Sequence, residues 1–91
     1  MAERIVLGER LDSAAARTLL SALQKWQGGD IELDGGSVRG IGGLAAQILL
    51  AASRACKSEG AAFRIIASEP MRNDLERLGL EEELLAQEGQ S

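Results

Sequence analysis

A glycine-rich turn, residues 38–47 (VRGIGGLAAQ), connects a short apolar run to a long segment rich in Ala and Leu. The first segment has the period of a strand, and the second is long enough for a helix. A helix start exposes unpaired N–H groups at the positive end of the helix dipole, which suits an anion or a phosphorylated side chain. The nearest serine is Ser37, several residues upstream. The turn therefore has the shape of a phosphorylation site but lacks the acceptor.

Strand and helix patterns alternate along the rest of the chain. Strands are predicted at residues 5–7, 30–34 and 62–67, and helices at 14–26, 44–57 and 69–78, with a last turn at 81–86. Parallel strands need a crossover between them, so this order predicts an α/β fold with a mainly parallel sheet and helices packed on it. At 91 residues we expect a single domain spanning residues 1–91, with a core of about 4–86 and a frayed tail at 87–91.

The first predicted helix is amphipathic, and either Asp12 or Ser13 can cap it. Its apolar residues recur at helical spacing, so we expect Leu23 and Trp26 to pack the helix on the sheet. The third helix is predicted to start at Ser68 and to bury Met71, Leu75 and Leu78. Gly79 is the expected stop, with Leu80 folding back onto the helix.

The second helix is assigned two faces by its spacing of about 100° per residue. The predicted core face comprises Leu44, Ile48, Ala52, Ala55 and Cys56. The predicted solvent face comprises Gln47, Ser53, Arg54, Lys57 and Ser58. Leu50 and Ala46 fall on the solvent face, so Leu50 is predicted to be the exposed apolar anchor of a protein interface.

Composition excludes several kinds of function. The net charge is -4 and the ten basic residues are scattered, which argues against nucleic acid as a partner. Trp26 and Phe63 are the only aromatic residues, so no base-stacking platform is expected. The longest apolar run, residues 48–52, is too short to cross a bilayer, and the N-terminus does not resemble a leader; we expect a cytoplasmic protein without membrane insertion.

Catalytic and metal sites are also disfavoured by the residue types present. The chain has no histidine and a single cysteine, Cys56, which excludes a Ser-His triad, a phosphohistidine relay and a thiolate zinc site. Cys56 is predicted to be a packed thiol. No catalytic residue, metal ligand or cofactor is assigned, and we expect the protein not to be an enzyme.

Two further patterns have a functional and a structural interpretation. Residues 40–45 fit G-x-G-x-x-G/A, but the chain offers no second nucleotide-binding half, so we interpret these glycines as a tight turn. Asp34 ends a strand, as the phosphoacceptor of a response-regulator receiver does. The acidic pair of a receiver is absent, so Asp34 is predicted to accept N–H bonds from the Gly35-Gly36 turn.

Several motifs together resemble the STAS family, the sulfate-transporter and anti-sigma-factor-antagonist domains. They are Leu11-Asp12 at the first helix, residues 31–38 (IELDGGSV), Gly43-Leu44, and Leu78-Gly79-Leu80, and the resemblance runs from about residue 5 to residue 85. The family's switch motif is D-S-S-G-L, whose second serine is phosphorylated by a partner kinase. Placed on residues 40–44, it matches Gly43 and Leu44, while Gly42 stands at the phosphoacceptor position and Gly40 at the acidic one.

Residues 38–49 look most like the small stand-alone STAS proteins of bacterial chemotaxis gene clusters, whose motif is roughly V-x-x-(V/I)-G-(A/G)-L-x-A-Q-(V/I)-L and also lacks the serine. The resemblance implies a STAS-like fold and a non-catalytic adaptor that binds the chemotaxis histidine kinase. The alternative is an anti-sigma-factor antagonist with a serine kinase as partner, or the STAS subunit of a lipid-transport ATPase. No phosphorylation is expected at Gly42, and Ser37 is the only substitute.

The partner-binding surface is expected to combine the glycine turn with the second helix. Its predicted residues are Arg39, Gly40, Ile41, Gly42, Gly43, Ala46, Gln47, Leu50 and Arg54. The sequence is compatible with a homodimer.

Overall fold

The computed structural model describes residues 3–26 and 28–85. Strands and helices alternate in this part of the chain, in the order β1 (Glu3–Val6), β2 (Arg10–Leu11), α1 (Ser13–Gln24), β3 (Ile31–Gly35), β4 (Gly40–Ile41), α2 (Gly43–Ser58), β5 (Phe63–Ala67), α3 (Glu69–Arg77) and α4 (Glu81–Leu85). The predicted α/β class is confirmed. Residue 86 and the predicted tail at 87–91 lie outside the described residues.

The strands form two small sheets whose pairs are all parallel within the described residues. The larger has the order β1-β3-β5, with Glu3 opposite Ile31 and Ile31 opposite Phe63. The smaller pairs β2 with β4 and places Leu11 opposite Ile41. The prediction of a mainly parallel sheet is confirmed. Strands β2 and β4 were not predicted, because two residues are too few to show a period.

Strand β3 is the centre of the larger sheet and alternates as its sequence predicts. Ile31, Leu33 and Gly35 are buried, while Glu32 and Asp34 are partly exposed on the other face. A side chain at Gly35 would lie 2.7 Å from the Met71 Sδ and 2.9 Å from a backbone oxygen of β5. Glycine is therefore required here, because a Cβ atom would clash with the backbone of the neighbouring strand β5 as well as with Met71 of α3.

The helix ends follow the local signals in the sequence. The Asp12 side chain accepts a hydrogen bond from the Ala15 N–H at 3.0 Å, and Ser68 caps α3 in the same way. At the end of α3, Gly79 has φ +76° and the Leu80 N–H donates to the Leu75 carbonyl at 2.9 Å. This Schellman arrangement confirms Gly79 as the stop and the return of Leu80 onto the core.

The predicted faces of α2 are wrong in part. Cys56 is buried and Gln47, Arg54, Lys57 and Ser58 are exposed, as predicted, but Leu44 and Ala55 of the predicted core face are exposed and Ser53 of the predicted solvent face is buried. The buried residues of α2 are Ala45, Ala46, Leu49, Leu50, Ser53 and Cys56, whereas Leu44 is 53% exposed. The observed core face is turned by roughly one residue, about 100°, from the predicted one. The reason is that α2 is apolar nearly all round, so its periodicity does not define which face meets the sheet.

Two smaller packing predictions also change. Leu78 is 44% exposed, because α3 ends at Arg77 and the chain turns away at Gly79. In α1 the fully buried residues are Ala16 and Leu19, while Leu23 and Trp26 are only partly covered. Helix α1 packs mainly against α2 and β2, so its apolar face is shared between a helix and a short strand.

Candidate functional site

The loop before α2 is held by backbone hydrogen bonds to the segment before α1. The Arg39 N–H donates to the Glu9 carbonyl at 2.6 Å, and the Gly42 N–H donates to the Leu11 carbonyl at 3.0 Å. These bonds are part of the pairing of β2 with β4. The start of α2 is therefore fixed relative to the start of α1, with both helix starts at one end of the molecule.

Two side chains of the α3 region hold the same loop from the other side. The Ser68 hydroxyl donates to the Val38 carbonyl and accepts the Met71 N–H at 3.1 Å. The Asp74 carboxylate accepts the Ile41 N–H at 3.0 Å. The loop that the sequence predicts to be a tight turn is thus a rigid part of the surface, because these backbone groups have partners.

The helix start itself has no side-chain cap. Gly42 is the N-cap residue of α2, in an extended conformation (φ -85°, ψ 168°) that any residue can adopt. A Cβ atom at Gly42 would lie 3.4 Å from the Leu11 carbonyl oxygen, and one at Gly43 would meet no atom within 4 Å. Neither glycine is therefore demanded by a severe clash, and a serine fits at position 42.

A shallow depression of about 440 Å³ lies beside this helix start and is lined by Arg10, Leu11, Asp12, Arg39, Gly40 and Gly42. Arg39 is largely exposed, and its guanidinium lies 3.9 Å from the Glu9 carboxylate. The lining of the depression includes no side chain that could act as a nucleophile with an adjacent base. Its acidic residue, Asp12, already caps α1. The depression can contact a partner, but it does not form a catalytic constellation.

The predicted partner-binding residues divide into two groups. Six lie at the surface or are partly exposed: Arg39, Gly40, Gly42, Gly43, Gln47 and Arg54. Ile41, Ala46 and Leu50 are buried, with exposed fractions of 7%, 1% and 8%. The expectation that Leu50 is an exposed anchor is wrong, because the rotated α2 points it into the core.

The exposed face of α2 forms an apolar groove with α1. We call it the α1–α2 groove; it has a volume of about 310 Å³ and is lined by Leu20, Leu23, Trp26, Ile31, Gln47, Ile48, Ala51, Ala52 and Ala55. The Trp26 indole N–H donates to the Gly29 carbonyl at 3.0 Å, so its polar atom is satisfied while its ring lines the groove. Leu44 lies one turn before Ile48 and extends this apolar surface to the loop before α2.

Helices α1 and α2 contain no acidic residue. Their charged residues are Arg17, Arg54 and Lys57. Arg54 is the only one of the three with an ion-pair partner among the described residues, the Glu83 carboxylate of α4 at 3.1 Å. In a chain of net charge -4, these two helices therefore carry only positive charges beside their apolar residues.

Two other residues singled out by the sequence have structural roles. The Asp34 carboxylate accepts the Gly36 N–H at 3.0 Å, which confirms the turn interpretation, and it also binds the Arg4 guanidinium at 3.0 Å. Cys56 is completely buried, as predicted. Burial raises the pKa of its thiol and the charge of Asp30 raises it further, so the thiol stays neutral at pH 7.

Of the residues that line the α1–α2 groove, only Gln47 was predicted from the sequence to bind a partner. A signal for this surface was present: α2 has more apolar residues than one buried face can hold, so some of them must be exposed. The exposed residues Leu44, Ala51 and Ala55 are that surplus. The size of a side chain does not distinguish the exposed residues of α2 from its buried ones, since Leu44 and Ile48 are as large as the residues of the core.

No protein-family profile, curated protein or solved structure matches this chain. Among the described residues, no helix is both long and apolar enough to span a bilayer. The same residues contain no cluster of three or more His, Cys, Asp or Glu side chains arranged to hold a metal ion.

Proposed function

We propose that this protein is a non-catalytic protein-binding module of the STAS type, which acts in the bacterial cytoplasm as an adaptor for the chemotaxis histidine kinase. The observation that carries the proposal is the α1–α2 groove, an apolar surface without acidic residues that begins beside a rigid loop. An exposed apolar patch rimmed by polar residues is typical of a protein interaction site. The STAS resemblance of the same loop and helix supplies the class of partner.

The geometry supports a fixed recognition surface. Hydrogen bonds with Ser68, which donates, and Asp74, which accepts, fix the loop, so its exposed residues, Arg39 and Gly42, are presented in one arrangement. A preorganised surface loses little conformational entropy on binding. Trp26 in the groove is of a residue type that is enriched at the centres of interfaces.

Glycine at the helix start favours an adaptor over a phosphorylation switch. Gly42 stands where the STAS switch motif has its phosphorylated serine, and it has no oxygen to receive a phosphoryl group. The alternative functions, an anti-sigma-factor antagonist or a subunit of a lipid-transport ATPase, would need Ser37 as acceptor or no switch at all. Ser37 is exposed in the turn after β3, several residues from the helix start.

Binding can be tested with a matched pair of substitutions. The tagged chain is mixed with the purified chemotaxis kinase encoded in the same genome, and the affinity is measured by calorimetry. Ala51→Glu places a carboxylate in the groove, whereas Ala14→Glu makes the same change at an exposed position of α1 outside it. We expect Ala51→Glu to weaken binding about thirtyfold or more, a loss typical of a disrupted interface centre, and Ala14→Glu to bind like the wild type.

Two results would count against this proposal. One is the absence of binding between the wild-type chain and the kinase at high micromolar concentration. The other is equal binding by the two variants, which would place the contact away from the α1–α2 groove. Melting curves of both variants, recorded alongside, show whether any loss of binding follows from unfolding.

A further inference from the structure

The two outer strands of the larger sheet differ in exposure. Phe63 and Ile65 of β5 are buried, and α2 and α4 contact that strand, whereas three of the four residues of β1 are exposed. Exposed sheet edges carry unpaired backbone donors and acceptors, and a further strand can add to them. The edge of β1 is therefore a place where a further strand can be added.

Backbone hydrogen bonds identify the free groups of β1. The Glu3 and Leu7 N–H groups donate to the Asp30 and Asp34 carbonyls, both at 2.8 Å. Because successive residues of a strand direct their N–H and C=O groups to opposite sides, those of Arg4 and Val6 point away from β3. No described residue accepts a hydrogen bond from the Arg4 or Val6 N–H.

The side chains beside this edge are apolar. Val6 is 71% exposed, the largest value among the exposed large hydrophobic residues. A groove of about 260 Å³ runs between β1 and α1, and its lining includes Ile5, Val6, Leu11, Ala15 and Leu19. An added strand would therefore gain both backbone hydrogen bonds and apolar contacts.

Charged side chains ordinarily protect edge strands from pairing, and β1 carries Glu3 and Arg4. The Arg4 guanidinium, however, is bound to both the Glu32 and the Asp34 carboxylates of β3. Its charge is compensated within the same chain. Arg4 therefore does not repel a second strand as a free cation would.

We propose that β1 pairs with β1 of a second copy of this chain, antiparallel and with the two-fold axis at Ile5. The charged side chains of the two strands favour this register over the other two. An axis at Arg4 would place two arginines opposite each other, and an axis at Val6 would bring Glu3 towards Glu9 of the other copy. With the axis at Ile5, Arg4 lies opposite Val6 and Glu3 lies opposite Leu7, so no like charges face each other.

This register uses every free backbone group of the edge. Arg4 and Val6 of each copy exchange N–H and C=O bonds with Val6 and Arg4 of the other, which gives four hydrogen bonds. The two Ile5 side chains meet at the axis, and the strands form one sheet in the order β5-β3-β1-β1-β3-β5. The strand is short, so the interface is small and the dimer dissociates on dilution.

Sedimentation equilibrium on the full chain tests the association. The weight-average mass should rise with concentration from 9.6 kDa towards twice that value. Val6→Pro removes the outward N–H without touching the bonds to β3, since proline is tolerated on an open edge. It should weaken self-association about tenfold or more. Val6→Thr keeps the N–H and the branched side chain and should associate like the wild type.

Two measurements test the register without depending on the proline variant. In the wild type, hydrogen exchange at the Arg4 and Val6 amides should slow as concentration rises. Ile5→Cys should form an intermolecular disulfide under mild oxidation much faster than Glu3→Cys, because only residue 5 meets its own copy at the axis.

The proposal is overturned if the wild-type chain stays at 9.6 kDa at all concentrations, as expected if the edge serves a strand of another protein. It is also overturned if exchange at both amides is independent of concentration, or if Glu3→Cys cross-links as fast as Ile5→Cys. The groove substitution Ala51→Glu lies on another surface and should not change self-association. Failure of the dimer and failure of kinase binding are thus separate results.

Discussion

The two faces of α2 have similar residues but different surroundings. Ala46, Leu49 and Leu50 lie on the face that packs into the core, whereas Leu44 and Ala51 lie on the face that borders the α1–α2 groove. Both faces are apolar, so hydrophobicity alone does not separate the structural face from the binding face. The difference is that one face is covered by the sheet and α4, while the other has only part of α1 beside it.

The comparison implies that adjacent positions of one helix respond very differently to a charge. On the buried face the cost is desolvation of a carboxylate, which a protein interior does not tolerate without a partner. On the groove face the carboxylate stays in water, and only a binding partner is affected. Leu50→Asp and Ala51→Glu test this directly, and Leu23→Ala and Gly42→Ser test the wall of the groove and the start of the helix. The four substitutions follow in decreasing order of their expected effect on stability.

Leu50→Asp should have the largest effect. Leu50 is 8% exposed, so the substitution removes a buried side chain and introduces an unpaired charge. We expect a loss of at least about 4 kcal/mol, which is most of the stability of a small domain. Circular dichroism should show an unfolded chain at room temperature. A folded variant with a melting temperature near that of the wild type would show that Leu50 lies at the surface. The face of α2 that packs into the core would then differ from the observed one.

Leu23→Ala tests the partly covered wall of the groove. Leu23 lines the groove and packs against the core without being fully buried. Truncation should therefore lower the free energy of unfolding by about 1–2 kcal/mol, less than the roughly 2–5 kcal/mol of a fully buried leucine. Urea unfolding measures this value. A loss as large as that of a fully buried leucine would show that α1 closes over the groove in solution.

Gly42→Ser tests the start of the same helix. A serine can cap the free N–H groups of α2 and restricts the unfolded chain, so we expect a gain of roughly 0.3–0.8 kcal/mol. The nearest neighbour, the Leu11 carbonyl oxygen at 3.4 Å from the added Cβ atom, leaves room for it. Thermal melting at several protein concentrations measures the gain, and a loss of stability would show that the contact at 3.4 Å is too close.

The same variant tests the absence of a phosphorylation switch. Incubation of the wild-type chain with candidate serine kinases and ATP should leave its intact mass unchanged, because Gly42 offers no acceptor. Gly42→Ser places a hydroxyl at that position, and this variant serves as the positive control. Stoichiometric phosphate on Ser37 of the wild type would contradict the adaptor proposal and favour the partner-switching alternative.

Ala51→Glu should have the smallest effect on stability. Ala51 is exposed, and glutamate is a good helix former, so we expect a change within about 0.5 kcal/mol. Differential scanning calorimetry of this variant beside Leu50→Asp gives the comparison between neighbouring residues directly. Strong destabilisation by Ala51→Glu would mean that the groove face is part of the core and not a binding surface.

The sequence by itself determined the order of the helices and of the three longer strands, the parallel sheet and most helix ends. These features depend on local signals. Asp12 and Ser68 can cap only the helix that follows them, Gly79 adopts a positive φ at little cost, and the alternation of residues 31–35 has a single phase. The turn role of Asp34 was predictable for the same reason, because its partner is only two residues away.

The tertiary structure decided which face of α2 is buried, how the glycine loop is held and which edge of the sheet is open. Each depends on residues far apart in the chain, such as Asp74 and Ile41 or Ser68 and Val38. The face of α2 could not be predicted fully, because apolar residues lie on most sides of this helix and its orientation is settled only when its neighbours are placed. Placement of those neighbours therefore determines where the chain can bind a partner.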